Sequence, residues 1–86
     1  MLKTFNRKVK LFDSIEEELK ENPYIDKRMA QSIAKKCNTN FEEVKKSVIT
    51  LRKKMVKLRR RESNKTEIEL IVLAISEIKR DITPLN

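Results

Sequence analysis

Between Phe41 and Arg61 the chain carries Lys45, Lys46, Arg52, Lys53, Lys54, Lys57 and a terminal Arg59-Arg60-Arg61 run. Cations at this density attract polyanions: a nucleic acid, an anionic membrane surface or an acidic protein. Residues suited to making and breaking bonds are scarce. The chain has no histidine, one cysteine and no glycine. That leaves no ligand set for zinc, no glycine-rich phosphate loop and no pairing of nucleophile with base. Glu16, Glu17 and Glu18 stand near an expected helix start, where the helix dipole accounts for them without chemistry. Cys37 falls on an apolar helix face and is expected as a small buried residue. No catalytic residue, metal ligand or cofactor is expected, and the chain reads as a binding protein rather than an enzyme.

The bulk properties point the same way. Eighty-six residues with 38% hydrophobic and 40% charged side chains allow one small domain with a modest core. The absence of glycine argues against tight β-hairpins and for helices. The net charge of +8 is unevenly placed. Residues 1–12, 27–40 and 41–62 carry +4, +4 and +6, whereas 13–26 carry −5 and 63–86 carry −1. A basic face backed by an acidic one is the charge pattern of a DNA-binding domain. A lone cysteine calls for no oxidising compartment. The N-terminal stretch lacks an apolar run suited to a signal peptide, and "IELIVLAI" is too short to span a bilayer. An intracellular protein is expected, nuclear if eukaryotic and otherwise cytoplasmic, with no membrane partner.

Four helices must position the cations. The first is expected over about Asp13–Glu21, opened by a capping-box spacing and closed by Asn22-Pro23. Asp26 caps a second, through about Cys37, with Met29, Ala30, Ile33 and Ala34 at helical spacing. After "NTN", with Thr39 or Asn40 as cap, a long third helix carries the stripe Phe41, Val44, Val48, Leu51, Met55, Leu58. "ESNKTE" interrupts it, and a fourth helix follows over about Lys65–Asp81, capped by Ser63, Asn64 or Thr66. Ile68, Ile71, Ile75 and Ile78 form a stripe there that either completes the core or joins a homo- or heterodimer.

From Ile15 to Lys54, without insertion, this arrangement resembles a homeodomain. Ile15 and Leu19 stand where that family's first helix has its leucine and phenylalanine. Pro23, Tyr24 and Ile25 match its first loop; Ile33, Ala34 and Cys37 match its second helix; Val44 and Lys45 match the opening of its recognition helix. Two signature features differ. Ser47 and Val48 replace a tryptophan-phenylalanine pair, and Thr50 replaces the asparagine that reads adenine. Among strongly diverged relatives, the chain looks like the homeodomain-like mating-type regulators of social amoebae such as Dictyostelium.

The resemblance implies an all-α fold: a homeodomain-like three-helix helix-turn-helix domain over 13–62, a basic N-terminal arm over 1–12, and an additional C-terminal helix over 63–86. It implies a DNA-binding regulator of transcription, in developmental or mating-type control, whose third helix enters the major groove of double-stranded DNA. Lys46, Ile49, Thr50 and Lys53 would face base edges. Tyr24, Lys45, Arg52, Lys54 and Lys57 would meet phosphates, which position a protein without reading sequence. Lys3, Arg7, Lys8 and Lys10 of the arm would follow the backbone or minor groove. Threonine cannot make asparagine's paired contact with adenine, so discrimination there falls by roughly 1–3 kcal/mol. The alternatives are a protein–protein adaptor on the same scaffold and a non-specific nucleic-acid binder.

Overall fold

The computed structural model describes residues 2–22 and 24–82, with side chains from Arg7 onward, and among them there is no strand. Four helices follow in order: α1 Leu2–Glu21, α2 Lys27–Lys36, α3 Phe41–Arg61 and α4 Glu67–Ile82.

Helix α1 starts far earlier than its capping-box spacing suggests, and the expected basic arm is helical from Leu2 onward. The reason lies in the apolar pattern. Leu11, Phe12 and Ile15 are all buried, and with half-buried Leu19 they form one stripe that runs through Asp13 without a break. Nothing between Leu2 and Glu21 is a glycine or proline. The Asp13–Glu16 spacing that resembles a capping box therefore sits in mid-helix, and Asp13 instead takes an ion pair from Lys79 of α4. Arg7, Lys8 and Lys10 are exposed on this helix, while Lys3 belongs to it with a side chain outside the described set.

The other helix starts are set by side chains. Asp26 Oδ1 accepts from the Met29 amide at 2.8 Å, and Asn40 Oδ1 accepts from the Glu43 amide at 2.9 Å. Each satisfies a backbone donor that the first helical turn leaves without a partner. At α4 the box is reciprocal: the Thr66 amide donates to Glu69 Oε1 at 2.8 Å, and the Glu69 amide donates to Thr66 Oγ1 at 3.2 Å. Between α2 and α3 the chain turns through Asn38, the one described residue of positive φ, at 56°. Asparagine tolerates that left-handed conformation better than most residues.

Ile15, Val44, Leu51, Leu58, Leu70 and Ile75 are each less than 2% exposed and form the centre of the core. Burying such a side chain contributes roughly 1.5–3 kcal/mol. Helix α4 supplies Leu70, Ile71, Ala74, Ile75 and Ile78, against α1 and α3. Ile71, Ile75 and Ile78 are thus interior residues of this chain, as in the first of the two readings of that stripe, in which it completes the core; Ile68 stays exposed. Ser47 is a buried polar residue of α3. The Cα atoms fill a slab of 37 × 36 × 17 Å. That is about two helices deep, so each helix keeps an outward face.

Ion pairs fasten α4 to α3. Lys54 Nζ lies 3.2 Å from Glu77 and 3.9 Å from Asp81, and Arg61 lies 3.0 Å from Glu77. The donated hydrogen bond from Lys54, with that from Arg61, holds the Glu77 carboxyl below its ordinary value of 4.5, against a partial desolvation that raises it. At Glu69 the backbone donor of Thr66, then its hydroxyl, act in the same direction. A carboxylate whose pKa is lowered by folding stabilises the fold above its unfolded value and loses that contribution as pH falls through the folded one. Between about pH 5 and pH 3 the melting temperature is expected to fall, and less steeply in Glu77→Gln. Thermal melts followed by circular dichroism across that range, wild type beside variant, check this; parallel curves would remove Glu77 from the acid response.

Candidate nucleic-acid interface

Helix α3 turns Val44, Ser47, Leu51 and Leu58 inward, with Val48 and Met55 at the margin of the core. Lys46, Ile49, Thr50 and Lys53 occur three, four and seven residues apart and share the opposite, exposed face. Lys57 continues that line by one turn, and Lys45 flanks it; both are exposed. Ile49 is 44% exposed, so an apolar side chain stands among the cations. Among the described residues, Lys45, Lys46, Lys53 and Lys57 form no ion pair.

Most acids near α3 are paired, and one of them, Asp81, borders this face, lining a shallow cavity with Thr50, Lys53 and Lys57. Glu77 and Asp81 are occupied by Lys54 and Arg61, Glu67 by Arg59, and Glu16 by Lys20. Glu42 and Glu43 occupy the first turn of α3, where they suit the positive end of its dipole. Glu42 lies one turn before Lys46 on the same side of α3, so the outward face from Lys45 to Lys57 is net positive, with Glu42 and Asp81 at its margins.

Six expected contact residues are placed differently. Lys54 is turned into the seam with α4 and paired there, so it is not a free phosphate donor. Tyr24 and Arg52 come together, but as lining of a cleft on the flank of α3 rather than on the Lys46–Lys53 line. Arg7, Lys8 and Lys10 lie on the helical first half of α1, where Lys10 is close to the end of α2: its carbonyl accepts weakly from the Cys37 thiol at 3.9 Å. That thiol also donates to Ser14 Oγ at 3.3 Å, and Cys37 is buried, in the seam between α1 and α2. The basic start of α1 thus comes near the C-terminus of α2, which ends in Lys35 and Lys36, a proximity that sequence spacing does not predict.

Comparisons with known protein families, curated proteins and solved structures return no match for this chain. Among the described residues no three histidine, cysteine, aspartate or glutamate side chains come together as a metal site, and no helix is long and apolar enough to cross a membrane.

Proposed function

We propose that the chain is a DNA-binding regulator of transcription on a homeodomain-like helix-turn-helix scaffold, with α3 as the helix that enters the major groove of double-stranded DNA. The observation that carries this reading is the outward face of α3, where exposed lysines that form no ion pair among the described residues surround Ile49 and Thr50. A helix about 10–12 Å across fits a major groove about 12 Å wide. In that groove lysines donate to guanine O6 or N7 or to phosphates, and an isoleucine packs on a thymine methyl. Lys46, Ile49, Thr50 and Lys53 are the base-facing set; Lys45 and Lys57 hold the backbone, and Arg52 reaches it only from the flank. The mechanism is docking alone: occupying a site, and so recruiting or excluding other factors there.

A second reading, binding to the duplex backbone without base readout, is favoured by Thr50, which stands at the register position of the family's adenine-reading asparagine. One experiment separates the two. The labelled protein is titrated with an AT-rich and a GC-rich duplex at low and high salt while amide shifts are followed. Shifts along Lys45–Lys57 that differ between duplexes support sequence preference. Equal shifts, weakened equally by salt, support backbone binding. An unperturbed α3 at low salt removes both.

A further inference from the structure

Beside the basic face, the flank of α3 forms one wall of a cleft of about 550 Å³ with the end of α1, the following loop and the start of α4. Five large apolar side chains are exposed among the described residues, and three of them line this cleft: Tyr24 at 70%, Val56 at 55% and Ile68 at 49%. Apolar exposure collected in one groove, rather than scattered singly, marks a surface that is covered in use. The exposure of these side chains also separates the cleft from a small-molecule pocket, which buries most of its ligand.

The rim is charged. Lys20, Arg52 and Arg59 stand against Glu21 and Glu67. Arg52 has no acidic partner among the described residues. Arg59 is bound to Glu67, but both side chains are more than half exposed, and an ion pair of that kind is easily exchanged. From Arg52 to Arg59 the groove follows α3 for seven residues, about 10 Å or two helical turns. A second copy of this chain would bring its own +8 charge to the same place and be repelled at long range. An acidic partner would be attracted by that charge.

We infer that the cleft is a docking groove for an acidic amphipathic helix of another protein, whose apolar residues at i, i+3 or i+4, and i+7 cover Val56 and Ile68 while its carboxylates meet Arg52 and Arg59. This is the helix-in-groove mode, in which a two-turn apolar ridge supplies the contact and flanking charge sets the partner.

The test uses the full chain and two synthetic peptides of equal composition. In one, leucines stand at i, i+3 and i+7 among glutamates; in the other their order is scrambled. Amide shifts at Tyr24, Val56 and Ile68 on adding the first peptide but not the second are expected. Ile68→Ser and Val56→Ser should each weaken binding about tenfold with only a small fall in melting temperature, since about half of each side chain is exposed. Arg52→Glu should weaken it more than Lys46→Glu, which lies on the other face. Equal binding of both peptides, shifts confined to the Lys45–Lys57 face, or no shifts at all would overturn the proposal. So would shifts at Ile68 that depend on the concentration of the protein alone, because a second copy would then occupy the cleft.

Discussion

Replacing Lys46, Lys53 and Lys57 together by alanine is expected to weaken binding to double-stranded DNA on the order of a hundredfold at low salt. The slope of log affinity against log salt should become shallower by about 0.9 for each phosphate that is no longer neutralised. The three side chains lie on one line of α3, are exposed, and have no ion pair among the described residues to release. Their removal therefore leaves the fold untouched, and the thermal melt of the triple variant should overlay the wild type. Lys54→Ala is the contrasting case. It breaks the ion pairs with Glu77 and Asp81, so it should lower the melting temperature modestly while leaving the salt slope near its original value. Fluorescence anisotropy with a labelled duplex over a salt series, beside melts of both variants, measures the two effects. A triple variant with an unaltered slope would remove the outward face of α3 from the interface.

The largest effect on stability is expected at Leu51. Its side chain is fully buried at the centre of the core, on the side of α3 opposite Lys46 and Lys53. Leu51→Ala loses the transfer energy of the deleted atoms and leaves a cavity, together about 2–5 kcal/mol. A domain of this size is stable by only about 4–13 kcal/mol in total. Urea denaturation should therefore show a midpoint shifted far to lower denaturant at a similar slope, with a substantial unfolded fraction if stability lies at the low end. A shift of less than about 1 kcal/mol, well below the usual range for such a deletion, would mean that α3 and α4 close over the gap and that the core is softer than its burial suggests.

How much of this is legible in sequence depends on the range of the interaction involved. Helices α2 and α3 and their caps are legible, because Asp26 and Asn40 act on amides three residues away. The start of α1 is not. The Asp13–Glu16 spacing satisfies the same local rule as a cap, and only the partners of Leu11, Phe12 and Asp13 show that the helix is already under way. The four-isoleucine stripe of α4 is visible as a stripe, but not whether it faces inward, since that depends on what α1 and α3 leave uncovered. The exposed face with Lys46, Ile49, Thr50 and Lys53 follows from helical period once Leu51 is known to point inward. Lys54 does not follow, because its carboxylate partners come from a helix further along the chain. The cleft joins three separate stretches of chain, and no local pattern announces it.

The connections Cys37–Asn40 and Glu62–Thr66 contain no glycine, and each leads into a helix whose first turn is held by a side-chain cap. Such joints leave α3 little freedom to swing when something binds. Surfaces that are already in place surrender little entropy on contact, so more of their interaction energy survives as affinity. The thermodynamic mark of this would be a heat-capacity change on binding no larger than the area of contact requires, without the additional component that accompanies folding on a partner.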